Sequence, residues 1–249
     1  MPLRITDVSA EAILLAGGAR AILLQLAHPA VGRGVAEHSD FAGRPLDRLH
    51  GTLTYLYVTA YGTPAEQREI ARRVGVAHRP VRGEGYDARD PGLQLWVAAT
   101  LYDTAMRVRQ LAFGPLSPAD AESLLADYAV IGTALGVPAG DWPADRIAFE
   151  RYWSGVPLEV TDSARAVARE LLYSRALPLW LRGALPTVRL VTAGLLSPEL
   201  RAAYELEFDE RRYRRLVRIV SAVYPRLPRA LREAPKRHYL RRFRAASRR

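Results

Sequence analysis

Prolines in this chain recur where a helix can begin. Gly62-Thr63-Pro64 places a helix stop, a capping hydroxyl and a first-turn proline on three consecutive residues. Asp90-Pro91 and Ser117-Pro118 repeat the cap-and-proline pair, and Pro45 opens another segment. A proline is harmless in the first helical turn, where its missing N–H would have no partner anyway, and the cap oxygen accepts a donor that the helix leaves open. Between these marks apolar residues return every three to four positions, and no Asn-Gly hairpin signal or convincing strand pair appears. The spacing predicts helices over 10–27, capped by Ser9, then 29–36, 45–61, 64–78, 91–113, 118–135, 144–154, 161–175, 178–193 and 198–223, with a basic helix from 228 onward. Residues 37–43 and 82–89 read as loops. With no linker and no internal repeat, the expectation is one all-α, multi-helix domain spanning 1–249, with 226–249 as a basic C-terminal helix.

A chain of 249 residues, 49% hydrophobic and 25% charged, can bury a cofactor-sized cavity. It has no cysteine, which excludes disulfides, iron–sulfur clusters, thiolate-ligated haem and cysteine-based zinc sites. Any metal must rely on His28, His38, His50, His78, His238 and the carboxylates. Arg4, Asp7 and Glu11 precede the apolar run 12–26, which Gly17, Gly18 and Arg20 interrupt, so neither an export signal nor a membrane span is read there and a cytoplasmic protein is expected. The net charge of +10 is concentrated: residues 226–249 hold ten Arg and Lys against Glu233 alone, a net of +9. In a chain whose one lysine is Lys236, that end reads first as a solvated helix. Contact with an anionic membrane surface is the partner it would suit, and nucleic acid is not expected.

No Gly-x-Ser-x-Gly elbow, His-Glu-x-x-His helix, phosphate-binding loop or dinucleotide fingerprint is present. The histidine of interest is His78, which shares a helix face with Ile70 and Val74. On that pattern it is either a core imidazole bonded to a carbonyl or a ligand inside a pocket. Arg48, Thr52, Tyr55 and Thr59 form a polar stripe on the helix from Pro45. It is either an exposed face or the lining of a cavity, in which Arg48 would stabilise an anionic group and Thr52 donate one hydrogen bond. His28 reads as a satisfied structural residue, His50 and His238 as solvated, and His38 as part of a polar loop where Ser39 or Asp40 caps a turn. Asp103, inside an apolar helix, needs a cation, with Arg48 as a candidate.

Several runs together resemble one family: Arg20-Ala-Ile-Leu-Leu-Gln-Leu-Ala-His-Pro-Ala-Val31, His38-Ser-Asp-Phe41, Arg48-Leu-His-Gly-Thr52, Ala77-His-Arg-Pro-Val-Arg-Gly83 and Asp90-Pro-Gly-Leu-Gln-Leu-Trp96. Leu135-Gly-Val-Pro138 and Leu196-Ser-Pro-Glu-Leu-Arg201 add to them. In order and spacing these are similar to the haem-dependent oxygenase superfamily of rubber oxygenases (latex-clearing proteins) and MpaB-type oxygenases, over roughly residues 10–240. The resemblance implies an all-α domain with a cofactor cleft between helices that holds haem b, with His78 as the iron's proximal ligand. Arg48 and Thr52 match the family's Arg-x-x-x-Thr motif beside the haem, where they would bind the cofactor or polarise bound dioxygen as catalytic residues. Glu37 or Asp103 would be the base if either lined the pocket. The chain departs from the family at Gly51, where rubber oxygenases place a lysine, and at Ala98, where many relatives have histidine. Polyisoprene is therefore not the expected substrate. The resemblance leads to a haem b oxidoreductase acting with dioxygen on a small, apolar, intracellular substrate. The alternative is a non-catalytic carrier or sensor of haem or of an apolar ligand.

Overall fold

The predicted starts hold where cap and proline coincide. Thr63 Oγ1 accepts from Glu66 N (3.3 Å) while Glu66 Oε2 accepts from Thr63 N (2.8 Å), and Asp90 Oδ1 accepts from Leu93 N (3.0 Å). Ser117 Oγ accepts from Asp120 N (3.1 Å), but Asp120 does not complete a capping box; it accepts from the N–H of Leu3 instead (2.8 Å). The computed structural model describes residues 1–38, 45–174 and 177–247, without the side chains of 45–48 and 180. The expected Ser39 or Asp40 cap therefore lies outside the described residues.

The helices are α1 (Ile5–Val8), α2 (Gly18–Leu26), α3 (Pro29–His38), α4 (Pro45–Tyr61), α5 (Pro64–His78), α6 (Pro91–Phe113), α7 (Pro118–Thr133) and α8 (Arg146–Gly155). After these come α9 (Asp162–Tyr173), α10 (Leu179–Arg182), α11 (Leu185–Leu195), α12 (Pro198–Ala203), α13 (Glu210–Val223), α14 (Arg229–Arg232) and α15 (Ala234–Ala246). The fold is all-α. Its only described strands are β1 (Arg82–Gly83) and β2 (Tyr86–Asp87), which pair antiparallel with Arg82 opposite Asp87 and Gly83 opposite Tyr86. Residues 82–89 are thus a small hairpin rather than the loop expected, with Gly85 supplying a φ of +79° at the turn.

Three long predictions break. The segment 10–27 is a 3-10 helix (Ala12–Gly17) followed by α2, and Ser9 ends α1 instead of capping it. In an α-helix capped at Ser9, the Ile13 N–H would bond back to Ser9; it donates instead to Tyr224 Oη (3.0 Å). Gly17 then passes so close to α6 that a Cβ there would lie 2.4 Å from Thr104 Cγ2 and 2.8 Å from Val108 Cγ2. Gly17→Ala is expected to lower unfolding free energy by about 1–3 kcal/mol through overpacking, read as a reduced denaturant midpoint at unchanged slope. The segment 178–193 divides at Gly183, and 198–223 divides between α12 and α13. There Tyr204 turns inward to donate its hydroxyl to the Leu23 carbonyl (2.7 Å), Glu205 takes a φ of 54°, and Asp209 caps α13 through Arg212 N (2.9 Å).

α6 lies at the centre. On one side Trp96 packs with Leu23, Leu24, Leu172 and Ala164; on the other, Ala99 and Tyr102 pack with Val58, Leu124, Leu125 and Ile131. Arg20 of α2 is 3% exposed and reaches across to α6 and α11. Its Nη2 lies 2.5 Å from Asp103 Oδ2, Nη1 donates to Thr104 Oγ1 (2.6 Å), and Nε donates to the Leu195 carbonyl (2.8 Å). Arg107 adds a second cation to Asp103 at 2.9 Å. Arg20 and Arg107 therefore supply the cation for which the sequence offered Arg48 as a candidate.

The basic C-terminal segment is two helices, α14 and α15, divided at Glu233, rather than the single helix expected, and it is not simply solvated. Tyr239 and Phe243 of α15 are buried, Tyr239 stacks on Tyr57 of α4 (centroids 5.7 Å apart), and Arg244 pairs with Glu66 of α5 (2.8 Å). Among the described residues no single helix is long and apolar enough to cross a membrane. The N-terminal apolar run bends by 106° between Ala12–Leu26 and Pro29–His38.

Candidate functional site

The Gly62-Thr63 turn folds α5 back along α4, and β1–β2 returns the chain beneath α3 before α6 begins. This leaves a cavity of about 360 Å³ between the helices, within the usual range for small-molecule and cofactor sites. Its wall is mainly aliphatic: Val35 from α3, Val74 from α5, and Leu93, Val97 and Leu101 from α6, with Ile131 at the end of α7.

His78 is the last residue of α5, half-buried, and lines this cavity together with Thr52 of α4. Two of the three residues singled out by resemblance thus meet at one wall, although they lie 26 positions apart. Arg48 lies on α4 one turn before Thr52, and its side chain is outside the described residues. Gly51 also lines the cavity, and among the described residues no atom from outside its own stretch of helix lies within 4 Å of where its Cβ would stand, so the missing lysine leaves open space. Ala98 lines it too and is 2% exposed.

Two further polar groups on the wall were not expected. Tyr86 Oη hydrogen-bonds the Glu37 carboxylate, and His38 Nε2 lies 2.9 Å from the same oxygen. The phenol has one hydrogen and gives it to Glu37, so His38 must donate from Nε2. The hydrogen bond to Glu37 holds the Tyr86 hydroxyl above the ordinary tyrosine pKa. Both His38 and Tyr86 line the cavity; Glu37 reaches it through Tyr86. Gly34 makes this possible, because a Cβ at that position would already sit 3.1 Å from the Tyr86 ring. Gln94 is the other group. Its Nε2 donates to the Ala88 carbonyl (3.2 Å), while its buried Oε1 has no hydrogen-bond partner among the described residues.

The remaining candidates lie elsewhere. His28 borders a separate hollow with Trp96 and Asp90, where burial lowers its pKa. His50 and His238 both lie against the Tyr239 ring, at 5.9 and 5.3 Å between centroids. Asp103 is held by Arg20 and Arg107 and does not line the cavity. No group of three His, Asp or Glu side chains among the described residues is placed to hold a bare metal ion. The Tyr86–His38 pair had no signal in the sequence beyond two glycines just before the tyrosine, since the contact spans 48 positions.

No solved structure matches the chain. The uncharacterized protein Rv2237 of Mycobacterium tuberculosis and the uncharacterized protein Mb2261 of Mycobacterium bovis are each 38% identical to it over 214 residues. The match covers 81% of this chain and 84% of each relative. Residues 6–222, a span that includes every residue on the cavity wall, match the catalytic domain described as ER-bound oxygenase mpaB/B′/rubber oxygenase, and the chain belongs to this oxygenase family.

Proposed function

We propose that the cavity holds haem b with His78 as the iron's proximal ligand, and that the protein oxidises a small apolar substrate with dioxygen. The observation that carries this reading is the meeting of Thr52 and His78 on one aliphatic wall. The donor set fits the group. Haem needs a dry cleft and one axial nitrogen, and no thiol competes for the iron. Of the two imidazoles on the wall, His78 is the one the family motif assigns to the iron, and His38 is tied through Nε2 to Tyr86. When bound, haem b supplies the redox-active iron that oxygen chemistry on an unsaturated substrate requires.

The protein's own groups do the rest. Val35, Val74, Val97 and Leu101 exclude water and present an apolar substrate. The Thr52 hydroxyl offers one hydrogen bond into the cavity, and Arg48, one turn earlier on α4, offers charge to an anionic edge. The Glu37–Tyr86–His38 chain holds a proton at Tyr86 Oη and can pass it between carboxylate and imidazole. Glu37 keeps the role of base through Tyr86, and Asp103 does not, because two arginines occupy it.

Gly51 and Ala98 favour a second reading, in which the same site carries or senses haem without turnover. Titrating the purified protein with haem and then following oxygen uptake with apolar alkenes separates the two. A stoichiometric Soret band with substrate-dependent oxygen uptake is expected. A band without uptake favours the carrier, and no band at all defeats both.

A further inference from the structure

The excess of positive charge is not confined to the last helix. Between Arg211 and Arg232 there are eight arginines and no acidic residue. Across the same stretch four aliphatic side chains stand in solvent at four-residue intervals: Ile219 (51% exposed), Val223 (51%), Leu227 (37%) and Leu231 (62%). They run from α13 through the turn at Tyr224–Arg226 into α14. The packing of α13 does not require them. That helix has no fully buried residue and turns Leu216 toward Val108, Val191 and Leu195, so its outward aliphatics are surplus to the core. Arg215 lies one turn before Ile219 on the same side, with Arg211, Arg212 and Arg218 around it. All four are exposed and have no ion-pair partner among the described residues.

We infer that α13 and α14 form a docking face for an anionic membrane surface. Ile219, Val223, Leu227 and Leu231 enter the boundary between headgroups and acyl chains, and the arginines around them meet lipid phosphates. A basic helix with one aliphatic edge lies in the plane of such an interface, its apolar edge buried about 5–10 Å. Anionic lipid attracts each cation near the surface independently of shape. An acidic protein partner would answer the charge but would leave a single-file aliphatic row without a groove to fill it. The face involves no residue that lines the cavity, so the inference is independent of what the cavity holds.

Vesicle flotation tests it on the full chain. Binding is expected to phosphatidylcholine vesicles containing phosphatidylglycerol at low salt and not to phosphatidylcholine alone, and to weaken as salt rises. Replacing Ile219, Val223, Leu227 and Leu231 with serine should reduce the bound fraction at least about tenfold while the chain stays folded with only a small fall in melting temperature, because those side chains are 37–62% exposed. Arg215→Gln with Arg218→Gln should lower it by about the same factor. Arg241→Gln with Arg242→Gln on α15 should leave most binding in place. The inference is overturned by a lack of vesicle binding, by binding that depends on α15 and not on the aliphatic row, or by preference for polyglutamate over vesicles. It is also overturned if light scattering shows a dimer that the serine variant dissociates. Haem content measured on the same variants should not change.

Discussion

His78→Ala is expected to purify folded and to bind haem at least about a hundredfold more weakly, with the Soret band lost at stoichiometric haem. Removing the partners of a metal ligand commonly costs ten- to a hundredfold in affinity, and removing the ligand itself costs more. The fold should tolerate the change. His78 is half-buried at the end of α5, where truncation removes little packing, so the loss in stability should stay within about 1 kcal/mol. Added imidazole should restore part of the band by entering the space vacated. His38→Ala is the control that gives the experiment its force, since both imidazoles line one cavity. It should keep the band and lose only what the Tyr86 bridge contributes. The reverse pattern, a band that survives His78→Ala and disappears with His38→Ala, would move the ligand from α5 to α3.

The second large effect is on stability. Arg20→Met is expected to destabilise the fold by about 3 kcal/mol, at the lower end of what breaking a buried ion pair costs. The arginine serves Asp103, Thr104 and the Leu195 carbonyl from a position 3% exposed, and burial lowers its pKa only against that carboxylate's opposing pull. Methionine fills the volume but removes the donor that Arg20 gives to Thr104 Oγ1 and the Leu195 carbonyl, and one of the two cations at Asp103. Arg107 still reaches Asp103, which keeps the loss from being greater. In a chain this long the melting temperature should fall by roughly 6–12 °C. Arg20→Met with Asp103→Leu should recover a substantial part, because removing both charges leaves no buried ion unpaired. Neither residue lines the cavity, so haem bound per folded molecule should be unaffected. A melting temperature within a degree of the parent would show that the pair contributes little.

The parts of the fold that could be read from the sequence are those whose information is local. Pro45, Thr63-Pro64 and Asp90-Pro91 mark starts that neighbouring residues alone enforce, and α4, α5 and α6 accordingly have the predicted bounds. What could not be read depends on distant partners. The Ile13 N–H leaves its helix for Tyr224, 211 positions away, and Tyr204 breaks a helical pattern to reach Leu23, 181 positions away. Periodicity carries no trace of either. The site divides in the same manner. Thr52 and His78 were singled out by motifs, each within a few residues, and the structure brings them to one wall. His38 and Tyr86 became visible only when the hairpin closed under Gly34, and Asp103 proved to be occupied by a helix that the sequence had not paired with it.

The docking of α15 on α4 bears on how the protein is made. A polypeptide leaves the ribosome in order, so the residues of α4 emerge long before Tyr239 and Phe243, which later cover one of its faces. At ordinary translation rates that interval is on the order of ten seconds or more. Throughout it, Tyr57 and its neighbours face either water or a chaperone, and the helix bearing Thr52 lacks its outer support. On the proposed reading of the cavity, loading of haem is then a late event in biosynthesis, completed after α15 has docked on α4 rather than while α4 is emerging.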